Sequence, residues 1–199
     1  MMRAIGDIVK EEWFRKKPWL ILGTGESLDR FDPKMKQEYN IWAINCAIDV
    51  PGYADVFHFQ DIYAAPGMYG DGWKIECWPE NYRYCAIRPS VRKDFTPENA
   101  IAIYYDKDCD SAGTLKPPGE KYPLSNSTSF AFLFLSRYFK ELFTLGIDDG
   151  SSWIAKGVNE RYHRDREIWR EIAPGETWAH ENLSNQGWMD RNGARQIRL

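Results

Sequence analysis

Short apolar runs recur along this chain, each closed off by Gly, Pro, Asn or Asp. Residues 4–16 set Ile5, Ile8, Val9 and Trp13 at helical spacing, with Lys10, Glu11 and Glu12 between them, which predicts an amphipathic lead-in helix. Pro18 stops it. The apolar run Trp19-Leu20-Ile21-Leu22 predicts a first strand, and it ends abruptly in Gly23-Thr24-Gly25-Glu26-Ser27. Asp32-Pro33 reads as an N-cap with Pro at the first helical position, so a short helix is expected over residues 33–38. Residues 41–47 predict the second strand and residues 56–60 the third, with Pro51-Gly52 between them. Strand, Gly-rich loop, helix and strand thus fall within about thirty residues, the span of a βαβ unit.

Further along, residues 62–80 carry many Gly, Pro, Trp and Tyr without a period and read as an ordered loop or lid insertion. Residues 83–87 and 100–105 read as strands. Residues 106–123 are polar and include Lys116-Pro117-Pro118-Gly119, the pattern of a mobile segment. Clustered Ser and Asn at 125–129 precede the apolar run 130–139, which marks a helix N-terminus. That helix is apolar nearly all round and belongs in the core. Residues 141–146 predict another strand, residues 159–171 a charged helix, and residues 195–199 an edge strand. Alternating strands and helices across one domain, 1–199, imply an α/β fold: three-layer, Rossmann-like, with a mostly parallel sheet.

In such sheets ligands bind beyond the carboxyl ends of the strands, at the topological switch point. Polar clusters fall at those predicted ends: Gly23 to Ser27, Asn45, Gln60 with Asp61, and Asp148 with Asp149. Gly23 and Gly25 permit close backbone approach, so the N–H groups of residues 24–28 are placed to converge on an anion. The alternative is a tight strand-to-helix turn without a ligand. Leu28 stands where the third glycine of a dinucleotide fingerprint would be, and Asn45 where an acid usually holds the ribose. No Gly-Lys-Ser/Thr follows, so this is not a Walker loop. The Asn45 carboxamide remains suited to a ribose or a base.

Ser125, Asn126 and Ser127 offer hydroxyl and N–H donors to an anion, or simply cap the helix. Asp148 and Asp149 suit a divalent ion such as Mg²⁺, a substrate hydroxyl or a solvated turn. Of the three histidines, His58 reads as a core or pocket-wall residue. His180, in an irregular segment, is the leading candidate general base, with His163 second. Arg161, Arg164, Arg166 and Arg170 are interleaved with acids and read as a salt-bridged face.

Composition narrows the classes. The 199 residues suit one domain with a real core, and the net charge of −3 argues against direct nucleic-acid binding. Nine Trp and eleven Tyr are residues that line sugar and base pockets as well as cores. No apolar run approaches the roughly 20 residues that cross a bilayer, and the N-terminus has no signal-peptide core. The four cysteines are scattered, which reads as reduced thiols in a cytoplasmic protein. A zinc site from Cys77, Cys85 and His58 lacks the close ligand spacing of structural sites.

Four segments together carry a resemblance: Leu22-Gly23-Thr24-Gly25-Glu26-Ser27-Leu28, Ala43-Ile44-Asn45-Cys46, Ser125-Asn126-Ser127 and Leu145-Gly146-Ile147-Asp148. In order and spacing they resemble a Rossmann-like superfamily over about residues 18–150. It includes bacterial sialyltransferases that use CMP-sialic acid, hydroxymethylpterin pyrophosphokinase-like proteins and phage glycosyltransferase-like proteins. The resemblance implies a nucleotide or nucleotide-sugar donor at residues 23–27 and Asn45. It implies a donor phosphate or sugar carboxylate at residues 125–127, and a base at His180. Thr24 stands where the sialyltransferases carry Asn, and Glu26 where Pro is typical, which leaves the sugar open.

Three functions follow from these readings. The first is a glycosyltransferase-like enzyme. The second is a Mg²⁺-dependent pyrophosphokinase-like phosphotransferase using Asp148 and Asp149. The third is a non-catalytic nucleotide-binding protein, with the cytoplasm as its expected location, the host's if the protein is viral. The aromatic-rich residues 62–80 serve either as a lid or as a homo-oligomer interface.

Overall fold

A computed structural model describes residues 3–58, 81–87, 99–102, 127–147, 189–190 and 192–199. Eight strands form one sheet: β1 (Arg3–Ala4), β2 (Trp19–Leu22), β3 (Asn40–Ile44), β4 (Ala54–His58), β5 (Tyr82–Ile87), β6 (Ala100–Ala102), β7 (Glu141–Leu145) and β8 (Arg195–Arg198). Their spatial order is β1-β6-β5-β4-β3-β2-β7-β8, and every neighbouring pair is parallel. The expected α/β class holds, with a sheet parallel throughout the described residues rather than mostly so. Residues 195–199 do lie at an edge.

β2 is buried at all four positions, as a central parallel strand covered on both faces must be. Its alternate side chains feed two cores. Trp19 and Ile21 join Trp42, Val56 and the helix α2 (Ser127–Ser136), through Phe130 and Phe134. Leu20 and Leu22 join Ile41, Ala43, Phe57 and Leu28 on the other face. The two cores are the physical content of three layers.

Two expected elements take other forms. The lead-in segment is not one α-helix. It is two 3-10 helices, Ile5–Lys10 and Glu12–Arg15, separated at Glu11, whose backbone is extended at φ −81°, ψ 136°. The carboxylate of Glu11 accepts from Trp13 Nε1, Arg3 and Tyr84 OH, and that three-way attachment holds the break. Likewise β3 ends at Ile44, three residues before the expected end. Asn45 takes φ +52° and turns the chain into a 3-10 helix, Asn45–Asp49. Asn is among the few residues that adopt this left-handed conformation readily. At Asp32-Pro33 the carboxylate Oδ1 of Asp32 accepts the Lys34 N–H at 2.8 Å, but the short helix α1 (Met35–Glu38) starts two residues later than expected, with Lys34 at its N-cap position.

Residues 62–80, 106–123 and 159–171 lie outside the described residues. Among the described residues no helix is long and apolar enough to cross a membrane.

Candidate functional site

The chain lays down β2, β3, β4, β5 and β6 side by side in one direction, then places β7 on the opposite flank of β2. The switch point is therefore at the carboxyl ends of β2 and β7. The loop after β2 leads to the face that buries Leu28, whereas α2, which precedes β7, covers the other face. This divergence is what opens ligand crevices in parallel sheets.

Here the loop after β2 is tied to β7. Gly23 donates its N–H to the Leu145 carbonyl at 2.9 Å, and Gly25 donates to the Gly146 carbonyl at 2.8 Å. The Gly146 N–H donates in turn to Ser27 Oγ at 2.7 Å. The backbones approach so closely that a Cβ on Gly23 would sit 2.3 Å from the Gly146 oxygen, and one on Gly146 2.1 Å from the Gly23 oxygen. Gly146 also has φ +70°. Only glycine fits at both positions.

This clasp changes how the loop reads. Two of the N–H groups expected to face an anion are engaged within the protein: that of Gly25 by Gly146, and that of Leu28 by the Gly25 carbonyl at 3.1 Å. The following 3-10 helix, Glu26–Arg30, sets Glu26 and Asp29 three residues apart, hence on one side of the turn, and both are exposed. A carboxylate pair there opposes an anion. Thr24 differs from its neighbours. It is only 8% exposed, and among the described residues no hydrogen bond reaches its hydroxyl.

Asn45 stands at the matching place on the adjacent strand. Leu22 pairs with Ala43, so Thr24 and Asn45 are each two residues past a paired position. The Asn45 carboxamide is half-buried and has no hydrogen-bond partner among the described residues. His58, the last residue of β4, is 0% exposed. Trp42 Nε1 donates to its Nδ1 at 3.2 Å, and its ring meets Phe130 edge-on. An indole N–H only donates, so Nδ1 is an acceptor and Nε2 carries the hydrogen of the neutral ring. The reading of His58 as a core or pocket-wall residue agrees with this burial. Ser127, the first residue of α2, is buried.

No family model, curated protein or solved structure matches the chain. The structure brings Gly23, Gly25 and Ser27 together with Gly146, and sets Thr24 and Asn45 at adjacent strand ends. The part played by Gly146 escaped the sequence reading, although a glycine closing a predicted strand was the available signal. Gln60, Asp61, Ser125, Asn126, Asp148, Asp149, His163 and His180 lie outside the described residues. Among the described residues no group of His, Cys, Asp or Glu is arranged to hold a metal. Burial pushes the Cys85 thiol well above its ordinary value, which keeps this core cysteine protonated and inert.

Proposed function

We propose that this chain is a glycosyltransferase-like enzyme that binds a nucleotide sugar over the carboxyl ends of its central strands. The observation that carries the reading is the switch point: strand growth reverses between β2 and β7, and a glycine-rich loop, Asn45 and the close of β4 fall at that end. Shared architecture alone does not choose a chemistry. The resemblance of four ordered segments to sialyltransferase-like and phage glycosyltransferase-like proteins supplies the choice.

In this reading an acceptor hydroxyl attacks the anomeric carbon of the donor sugar. The new glycosidic bond forms as the bond from that carbon to the nucleotide phosphate oxygen breaks. The hydroxyl proton passes to His180 or to Asp148, and the phosphate leaves as an anion. Ser127 and its neighbours Ser125 and Asn126 are the donors assigned to that anion.

A thermal-shift panel tests it: CMP, CDP, UDP, GDP, ADP and their sugar conjugates, each with Mg²⁺ and with chelator. A ligand at about 100 times its Kd adds roughly 2.7 kcal/mol, a readily visible shift. Stabilisation by one nucleotide sugar in either condition is expected, followed by its hydrolysis or transfer. Stabilisation only by a triphosphate with Mg²⁺ would replace this reading with the phosphotransferase. Silence across the panel would remove the nucleotide site altogether.

A further inference from the structure

We infer that Thr24 and Asn45 hold the uncharged nucleoside half of the ligand, and that the loop at residues 23–27 is not its phosphate site. The inference rests on the nucleotide reading above and reassigns which end of the nucleotide meets which strand. Three observations carry it.

The first is the hydrogen-bond accounting of the loop. An anion cradle needs several N–H groups aimed at one point. Here Gly23, Gly25 and Leu28 direct theirs to the carbonyls of Leu145, Gly146 and Gly25, and the Ser27 hydroxyl receives the Gly146 N–H. Of the five N–H groups of residues 24–28, those of Gly25 and Leu28 are thus turned into the clasp.

Charge is the second. Glu26 and Asp29 are exposed on one side of the only turn that follows, with Arg30 the single cation among its five residues. A phosphate seated on this turn would meet the exposed Glu26 carboxylate.

The third is what remains unsatisfied. A buried hydroxyl without a partner is destabilising unless a ligand or water reaches it. The Thr24 hydroxyl is in that position, and the Asn45 carboxamide, past the end of the adjacent strand, is likewise without a partner among the described residues. Both are neutral, and each can donate and accept. That chemistry fits a ribose diol or the edge of a base rather than a dianion.

The test is calorimetric titration of the full chain with cytidine, uridine, guanosine and adenosine and with their 5′-monophosphates. Thr24→Val removes the hydroxyl at nearly constant shape. Asn45→Gly removes the carboxamide while keeping the left-handed backbone. Each is expected to weaken the preferred nucleoside and its monophosphate by the same factor, about tenfold for a lost buried hydrogen bond. Thr24→Ser is expected to restore most of the loss, and Glu26→Gln to leave the ratio of monophosphate to nucleoside affinity unchanged. Nucleotide binding that survives both substitutions overturns the inference and leaves the proposed function standing. So does a loss confined to the monophosphate, or a ratio that rises in Glu26→Gln. If the wild-type chain binds none of the eight compounds, the inference and the nucleotide reading fall together.

Discussion

The two ends of the sheet treat their polar groups in opposite ways. At the amino ends of the strands, among the described residues, the polar side chains of Asn40, Asp55 and Arg83 are tied down. Asp55 Oδ2 accepts the Ile41 N–H at 2.9 Å, while its Oδ1 accepts from Tyr53 OH and from Arg83 Nε. Arg83 lies over the Trp13 ring at 4.6 Å, and Asn40 Nδ2 donates to carbonyls of the preceding turn, including that of Trp13 at 3.1 Å. At the carboxyl ends the backbone is tied by the glycine clasp, which includes Ser27 Oγ, and His58 Nδ1 accepts from Trp42. Thr24 and Asn45 are left with nothing among the described residues to bond. Saturated polar groups stabilise a fold, whereas unsatisfied ones at a switch point have a use in binding. The contrast falls at the end of the sheet where the proposed site lies.

The clasp is where the comparison breaks most violently. Gly146→Ala adds a Cβ 2.1 Å from the Gly23 oxygen at a residue with φ +70°, so backbone must move. We expect a loss of about 3 kcal/mol or more, read as a fall in the urea midpoint. Gly52→Ala is the internal control: its φ is also positive, +61°, but a Cβ there meets nothing within 4 Å. It should cost only the left-handed strain, about 1–2 kcal/mol. Equal losses from the two would show that close approach at the clasp contributes nothing.

The paired and unpaired side chains should then respond with opposite sign. Asp55→Ala leaves the Ile41 N–H without its acceptor and also frees Tyr53 and Arg83. We expect a loss of about 2 kcal/mol, most of it from the buried amide, because the Arg83 partner is too exposed for its ion pair to add much. Thr24→Val replaces an unsatisfied hydroxyl by a methyl and should stabilise the ligand-free chain by about 0.5–1 kcal/mol in the same urea titration. A destabilised Thr24→Val would mean that the hydroxyl has a partner, and the contrast between the two ends would lose its sharpest member.

Much of the scaffold was legible because a buried parallel strand has an unmistakable local pattern. Trp19 to Leu22 was bounded correctly by Pro18 and Gly23, and even the short β8 was found at the edge. The misreadings have long-range causes. Apolar Ala47 seemed to continue β3, yet it is buried from a 3-10 helix that Asn45 starts. Ile5 and Ile8 are core residues, as helical spacing suggested, whereas Val9 and Trp13 are only partly buried and Phe14, outside that pattern, is fully buried. The break at Glu11 depends on Tyr84, 73 positions away, which no local pattern can contain. The clasp was illegible for the same reason: Gly23 and Gly146 meet only once β7 is known to flank β2.

Glu11 offers the gentlest test, because it probes the saturated end through charge alone. Burial works to raise its pKa, but the hydrogen bonds from Trp13, Tyr84 and Arg3 outweigh it and hold the carboxyl below the ordinary value of 4.5. An acid depressed in the folded state contributes stability above its unfolded pKa. That contribution is lost as pH falls through the folded value, when the unfolded chain takes up the proton more readily. Glu11→Gln keeps an acceptor for Trp13 but sets a neutral amide against the Arg3 guanidinium. At neutral pH the variant should be less stable by about 1 kcal/mol. The gap between the two proteins should narrow as urea titrations are repeated from pH 7 down through the carboxylate range, because only the wild type has this proton to gain. A gap that stays constant across the range would assign the role of Glu11 to hydrogen-bond geometry instead of charge. The amino end would then be held as neutrally as the site at the other end is proposed to bind.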